Sequence, residues 1–203
     1  MKNLVLITVV LHLSVYGFTI NSNSSKSTDA NIKEIWNSSS FKNEISLNTF
    51  LLAMKGFHKY SFSKKDKIVI IDYTQPSTKE RFYLIDLENK ILLNKELVAH
   101  GKNTGCNIAT NFSNKPESLK SSLGFFRTAE TYRGKHGFSL RLDGLEAGKN
   151  DNARKRAIVI HGAQYVSKDF VNKHGRLGRS WGCPALPTSR SKEIINEILG
   201  GIC

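Results

Sequence analysis

Cys183 is the residue of this chain best suited to act as a nucleophile. It lies in the segment Gly178-Arg-Ser-Trp-Gly-Cys-Pro-Ala-Leu186, where Gly182 lets the backbone approach another group closely beside the thiol. A thiol is a poor nucleophile until it ionises, so a reactive cysteine needs a base or a cation next to it. We therefore predict that the fold brings such a group to Cys183.

His161 is the predicted partner of this thiol. It follows the apolar run Arg156-Ala-Ile-Val-Ile160, so we expect it at the end of a buried strand, from which the imidazole could reach the cysteine. His174 also precedes Cys183 and is the alternative base, although it follows no such strand. Two nearby cations could lower the pKa of the thiol, Arg176 and Arg179.

Two other interpretations of Cys183 remain open at this level. The thiol could be a small buried apolar group or half of a disulfide with Cys106 or Cys203, since three cysteines leave at least one unpaired within the chain. Alternatively, His161, His174 and Cys183, together with His136, could bind a zinc ion that activates a water molecule. The spacings of these residues match no established metal motif, so we predict no metal and no cofactor.

The composition limits the class of protein and of partner. Of 203 residues, 39% are hydrophobic and 23% charged, which is typical of one globular domain and argues against a disordered chain, collagen or a coiled coil. The net charge of +13 favours a polyanionic partner. The sequence has no nucleic-acid motif and no basic stripe interleaved with aromatic residues, so we predict no nucleic-acid partner. An acidic cell-wall polymer agrees better with the charge.

The N-terminal residues have the three-part layout of a secretory signal peptide. Lys2 precedes an apolar run over residues 4–15, and small and polar residues follow it. The run is shorter than the roughly 20 residues that a membrane-spanning helix needs. We predict a signal peptide over residues 1–19, cleaved near Gly17 to Thr19, and hence an exported protein of the periplasm or cell wall.

The remaining chain is predicted to have helices at both ends and strands between them. Residues 21–30 are rich in Ser and Asn and favour a flexible linker, and helical spacing then predicts a short helix from Ile32 and a second one that ends at Gly56. Strands are predicted at residues 68–73, 81–87, 91–98, 123–126, 138–142 and 156–160, the second and third forming a hairpin. A final helix has Thr188 or Ser189 as its N-cap and stops at Gly200-Gly201.

The segments around His161 and Cys183 resemble the active-site region of the L,D-transpeptidase catalytic-domain family, which acts on bacterial peptidoglycan. The resemblance rests on Ile160-His-Gly-Ala-Gln-Tyr-Val-Ser167 and Gly178-Arg-Ser-Trp-Gly-Cys-Pro-Ala-Leu186, and is greatest for the branch with Ser-Trp-Gly-Cys. It implies a mainly β, sandwich-like catalytic domain with N-terminal and C-terminal helices, α+β overall. We assign that domain to residues 62–203, preceded by a linker and N-terminal helical extension over residues 20–61.

In the chemistry that the resemblance implies, Cys183 matches the nucleophile and His161 matches the general base and acid. The thiolate attacks the carbonyl of the third residue of a stem tetrapeptide, expels the terminal D-Ala and forms a thioester. The Gly162 carbonyl orients the imidazole in place of a carboxylate. The N–H groups of Gly182 and Cys183 are suited to hold the oxyanion, and Ser180 shapes that turn.

Two positions depart from the commonest pattern of the family. That pattern has His just before the Gly-Cys pair and Arg shortly after it, whereas this chain has Trp181 and Pro184-Ala185 there. We expect Arg176 and Arg179 to meet stem-peptide carboxylates, because a guanidinium offers a bidentate fork. The residues predicted to bind substrate are Arg179, Arg176, Trp181, His174 and Tyr165.

The predicted function is that of an exported, metal-free L,D-transpeptidase. Its partners are peptidoglycan stem peptides, and we expect a monomer that is peripheral to the cell wall. A second stem amine would resolve the thioester to a 3→3 crosslink. Two alternatives remain: an L,D-carboxypeptidase, in which water resolves the same thioester, and a basic wall-binding module without turnover.

Overall fold

The computed structural model describes residues 22–203 and the side chains of residues 29–203. The predicted signal peptide and its cleavage site lie outside these residues. Within them the elements are, in chain order, α1 (Ser22–Asn37), α2 (Leu47–Lys59), β1 (Lys67–Ile71), β2 (Glu80–Asp86), β3 (Ile91–Leu97), β4 (Phe126–Gly134), β5 (Gly137–Gly144), β6 (Val159–Ala163), α3 (Lys168–His174), β7 (Ala185–Pro187) and α4 (Thr188–Ile198). None of the described helices has the length and hydropathy needed to cross a membrane.

The strands form two sheets. The first has three antiparallel strands in the order β1-β2-β3, and its β2–β3 pair is the predicted hairpin. The second has four strands in the order β4-β5-β6-β7, antiparallel except for the parallel pair of β6 and β7. The predicted α+β, mainly β fold is confirmed.

The first sheet is covered on both faces. Successive side chains of a strand point to opposite faces, so Tyr83 and Ile85 pack with α1 and α2 while Phe82 and Leu84 pack with the second sheet and α4. Strand β2 is buried along almost its whole length for this reason. The predicted boundary at residues 61–62 falls in the loop between α2 and β1 and stays a prediction.

The last residues of the chain connect the two sheets. The Val69 N–H of β1 donates to the Cys203 carbonyl at 3.0 Å, and the Thr128 N–H of β4 donates to the Ile202 carbonyl at 2.9 Å. The Thr128 hydroxyl oxygen also accepts from the N–H groups of Gly201 and Ile202. This segment therefore fixes the separation of β1 and β4 on either side of the central core.

The helix predictions need two corrections at the N-terminal end. Residues 22–30, predicted as a flexible linker, are helical as the first turns of α1. Extending a helix costs less than starting one, and the later turns of α1 are held by the buried Ile32. Helix α2 continues past Gly56 to Lys59. A Cβ at Gly56 would lie 2.0 Å from Phe125 Cε1, so this glycine admits the Phe125 ring rather than ending the helix.

Other element boundaries also differ from the prediction. The strand predicted at 123–126 is wrong except for Phe126, because the Phe125 N–H donates to Glu146 Oε2 and the Phe125 carbonyl accepts from Leu145. Residues 156 and 157 belong to a turn, and β6 begins only at Val159. The N-cap of α4 is Pro187, which makes no side-chain capping bond, instead of Thr188 or Ser189. Helix α3 was not predicted, although Ser167 caps its N-terminus.

Candidate active site

The pairing of β6 with β7 brings the predicted nucleophile to the predicted base. His161 lies inside β6, not after its end, and is opposite Ala185 of β7. Cys183 lies two residues before Ala185, in the bend that precedes β7. The Val159 backbone hydrogen-bonds the Cys183 sulfur, and Val159 lies two residues before His161 on β6. The predicted nucleophile therefore lies against the strand that carries the predicted base.

His161 is held as a neutral base. Its side chain is 2% exposed, and Nδ1 lies 3.0 Å from the Gly162 carbonyl oxygen. A carbonyl only accepts, so Nδ1 bears the proton and Nε2 is the unprotonated nitrogen. Burial lowers the pKa of His161 below its usual 6.5, and the Gly162 hydrogen bond opposes this only in part. The imidazole is therefore ready to accept a proton at neutral pH.

Gly162 also fixes the position of the strand that carries this base. A Cβ at Gly162 would lie 2.5 Å from Ser191 Oγ of α4. The absence of a side chain lets α4 pack directly against β6, and the Gly162 carbonyl stays in line with the imidazole.

The imidazole of His136 stacks on that of His161. His136, in the turn between β4 and β5, stacks on it with ring centroids 4.5 Å apart and an interplanar angle of 29°. The charge of His136 lowers the pKa of His161 further. From the sequence His136 was a possible zinc ligand and a possible residue of the cleft, but no local pattern indicates that the β4–β5 hairpin folds over β6.

Cys183 is half-buried and rests as a neutral thiol. Burial raises the pKa of the Cys183 thiol above its usual 9.0, while a Val159 backbone hydrogen bond and the Arg156 charge lower it. The sulfur donates to the Ala157 carbonyl at 3.6 Å. A neutral thiol becomes a good nucleophile only when a base takes its proton, and His161 is the predicted base.

Ser180 closes the turn that carries the nucleophile. Its hydroxyl oxygen accepts from the Gly182 N–H at 3.0 Å and donates to the Cys183 carbonyl at 2.6 Å. The Gly182 N–H, predicted as an oxyanion donor, is therefore already engaged. The Cys183 N–H makes no hydrogen bond within the described residues and is the free donor of this turn.

Gly182 is required by its conformation and by its neighbours. Its φ of +126° lies in the region that side-chain-bearing residues avoid. The Ser121 hydroxyl donates to the Gly182 carbonyl at 3.0 Å and accepts from the Gly101 N–H at 3.0 Å. A Cβ at Gly101 would lie 3.0 Å from Gly182 Cα, so two glycines allow these backbones to meet.

The buried Arg81 supports the turn of residues 180–183 through His100. Arg81 is fully buried, donates to the Val98 carbonyl and donates from Nη2 to His100 Nδ1 at 2.8 Å. The other ring nitrogen of His100 faces the Gly105 carbonyl at 3.2 Å, and the His100 backbone carbonyl accepts from the Ser180 N–H at 3.0 Å. Burial, together with the charge of Arg81, lowers the pKa of His100 to about 4.

The predicted substrate-binding residues differ in exposure and in their contacts. Trp181 is 76% exposed beside the nucleophile. Tyr165 is half-buried, and burial together with the charge of Cys183 raises its pKa to about 12. Arg179 donates from Nη1 to the Gly105 carbonyl oxygen at 3.4 Å.

Two of the predicted residues are not brought to the thiol. Arg176 donates to the carbonyl of its neighbour Leu177 at 2.8 Å. His174 is exposed at the end of α3 and packs on Phe170, with ring centroids 4.2 Å apart. His161 lies in the strand whose preceding residues, Ala157 and Val159, contact the Cys183 sulfur, whereas His174 is exposed on α3, so His161 is the base that the geometry favours.

The alternatives based on a disulfide and on zinc have no support in the described residues. Cys106, Cys183 and Cys203 are all unpaired. No three His, Cys, Asp or Glu side chains there come together as a metal site requires. A cleft of about 480 Å³ between Glu80, Gln164 and Arg190 lies at the opposite end of β6 and β7 from the thiol.

The buried His100 predicts acid sensitivity of the fold. Its pKa is about 4 in the folded protein and about 6.5 when unfolded. Above pH 6.5 both states bind no proton there; as the pH falls from 6.5 to 4, the unfolded state gains one, so the free energy of unfolding drops by roughly 3 kcal/mol. His100→Gln should flatten this slope in urea unfolding between pH 4.5 and 7, and the exposed His58→Gln is the control. Equal slopes for wild type and His100→Gln would contradict the prediction.

Comparison with known proteins assigns the chain to a family. Residues 41–203 match the family model described as the L,D-transpeptidase catalytic domain. A comparison with curated proteins gave no match. Among solved structures, the LD transpeptidase LdtMt1 in complex with imipenem is similar at 14% identity and a TM-score of 0.39, over 67% of this chain and 56% of that chain. Because the family match spans most of the sequence, this protein belongs to the L,D-transpeptidase catalytic-domain family.

Proposed function

We propose that this protein is a peptidoglycan L,D-transpeptidase in which Cys183 is the nucleophile. The observation that supports the proposal is that the Cys183 thiol is held against the backbone of Ala157 and Val159, at the start of the strand that carries His161, whose Nδ1 faces the Gly162 carbonyl and leaves Nε2 as the unprotonated nitrogen. Membership of the family supplies the substrate class. The positive charge of the chain agrees with attraction to an acidic wall polymer.

Acylation uses the neutral pair described above. Nε2 of His161 takes the proton of Sγ as the sulfur attacks the carbonyl carbon of the third stem residue. The oxyanion accepts from the Cys183 N–H, the free donor of the turn. The amide bond to the terminal D-Ala then breaks, and its nitrogen takes the proton from His161. D-Ala departs, and the acyl group stays on Cys183 as a thioester.

Deacylation reverses the roles of the same groups. His161, again neutral, takes a proton from the amine of a second stem peptide as that amine attacks the thioester, and the thiol is restored. If water attacks instead, the stem is only trimmed, and the protein acts as an L,D-carboxypeptidase. Gly162 keeps the imidazole oriented in both halves, and Ser180 keeps the Cys183 turn closed.

Substrate contacts are proposed for the residues around this centre. The exposed Trp181 offers a flat apolar surface near the thiol. Tyr165, from the segment that contains His161, lines the same site. Arg179 and Arg176 are the proposed partners of stem carboxylates, and His174 is a more distant candidate. A substrate in the cell wall requires export, in agreement with the predicted signal peptide and with a peripheral, monomeric enzyme of the periplasm or wall.

The pH dependence of acylation follows from the two pKa directions. Because the pKa of His161 is lowered from its usual 6.5, the imidazole needed for proton transfer stays neutral to a pH below 6.5. Because the pKa of Cys183 is raised from its usual 9.0, the thiol stays protonated to a pH above 9.0. We expect kcat/KM to be flat from about pH 7 to about pH 8.5 and to fall only in acid, as His161 is protonated. His136→Gln should move the acid limb to higher pH, because the His136 charge lowers the pKa of His161. A kcat/KM that keeps rising to pH 9 would instead require a preformed thiolate.

The proposed reaction is tested by mass spectrometry of products from a purified disaccharide-tetrapeptide. Wild type should give crosslinked dimers with release of D-Ala, and Cys183→Ala should give none because the thioester cannot form. Cys106→Ala, which removes an exposed cysteine, is the matched control and should keep full activity. Release of D-Ala without dimers would favour the carboxypeptidase. Absence of both products from folded wild-type protein with a free thiol would favour the wall-binding module.

A further inference from the structure

A guanidinium that the mechanism above does not use lies beside the nucleophile. Arg156 belongs to the turn that precedes β6 and is half-buried. A Cβ built on Gly182 would lie 3.1 Å from Arg156 Nη2. The next residue of the same turn, Ala157, accepts the Cys183 thiol through its carbonyl. Arg156 is thus held against the backbone that presents the sulfur.

The hydrogen bonds of Arg156 leave its charge uncompensated. Nη1 donates to the Ser113 carbonyl and the Ser122 hydroxyl, and Nη2 donates to the Ser118 hydroxyl and the Lys120 carbonyl. All four acceptors are neutral. Arg156 forms no ion pair with any of the described residues, so its field is not cancelled locally.

Arg154, two residues earlier, shows the contrast. It pairs with Glu130 at 2.7 Å and with Asp143 at 2.7 Å, on the exposed surface. One turn therefore carries two arginines of the same formal charge, one neutralised in solvent and one uncompensated beside Cys183.

The other groups that face the thiol carry no charge at neutral pH. Burial raises the pKa of Tyr73 and that of Tyr165, and both sense the charge of Cys183. His161 is neutral because burial lowers its pKa. Of the described groups that interact with the Cys183 charge, Arg156 is the cation.

We propose that Arg156 stabilises the Cys183 thiolate from the turn before β6. As the proton passes from Sγ to Nε2 of His161, negative charge develops on sulfur, and Arg156 keeps its own proton throughout. Its four hydrogen bonds hold the guanidinium in place beforehand, so no reorganisation accompanies the step. The inference rests on the proposed function, because it assigns Arg156 to the same nucleophile.

The pKa of the thiol tests this role directly. The rate of iodoacetamide labelling at Cys183 is followed by peptide mass spectrometry from pH 6 to 10.5 in wild type, Arg156→Gln, Arg156→Lys and Arg154→Gln. Loss of a nearby charge typically moves a pKa by about one unit, so Arg156→Gln should raise the apparent pKa and slow labelling at pH 8 about tenfold. Arg156→Lys should show a smaller shift because it keeps the charge. Arg154→Gln, which removes a compensated charge, should match wild type.

Three outcomes would overturn the proposal. An unchanged thiol pKa in Arg156→Gln would mean that the charge does not reach the sulfur. Equal shifts in the Gln and Lys variants would assign Arg156 to ordering residues 113–122 alone, and an equal shift in Arg154→Gln would indicate a general surface effect. Labelling needs no peptidoglycan, so a wild type that forms no product would refute the proposed function without deciding the role of Arg156. Circular dichroism and thermal melting establish that each variant is folded before labelling.

Discussion

The parallel pairing of β6 with β7 is the constraint on which the site depends. Two sequence-distant segments become neighbours through it, because its register pairs His161 with Ala185, two residues after Cys183. A slip of this register by one residue would move the segment that carries Cys183 along β6 and away from its contacts with Ala157 and Val159. Most of the surrounding structure serves to hold this register. Ser191 of α4 packs on Gly162 behind β6, and Ala99 bridges Ala185 beside β7.

Burial shapes the chemistry of the pair. A water-poor site disfavours charge on either group, which leaves a thiol and an imidazole that are both neutral at rest. The charge separation that attack requires must then be stabilised by fixed groups. The free Cys183 N–H and, as we infer, the uncompensated Arg156 are the groups that this chain offers. The side chains that the commonest family pattern places beside the cysteine are absent, and the cation and the second imidazole come from other segments of the fold.

Much of this site could be predicted from the sequence, because its central residues lie in local patterns. An apolar run followed by His-Gly, and a cysteine flanked by glycine, are visible without a structure. The hairpin of β2 and β3 was equally predictable from two apolar runs around a polar turn. Helix α3 could have been found as well, since Ser167 and Gly175 are ordinary capping residues.

Contacts between distant segments could not be predicted in this way. The sequence predicts a helix end at Gly56, whereas in the structure this glycine makes room for the Phe125 ring. The sequence also predicts the Gly182 N–H as a free donor, whereas the Ser180 hydroxyl oxygen accepts from it. Arg156 and His136 were not assigned to the site for the same reason. Each reaches the cysteine or the histidine only through the folding of a hairpin or turn far from it in the chain.

Trapping of the acyl-enzyme tests the central claim most directly. A carbapenem-type β-lactam offers the thiol a strained amide carbonyl, and intact mass spectrometry detects the resulting adduct. If Cys183 is the nucleophile and His161 its base, we expect one adduct on wild type, mapped to Cys183, a much slower one on His161→Gln and none on Cys183→Ala. An unchanged wild-type mass while the Cys183 thiol is free, or an adduct that persists in Cys183→Ala, would contradict it.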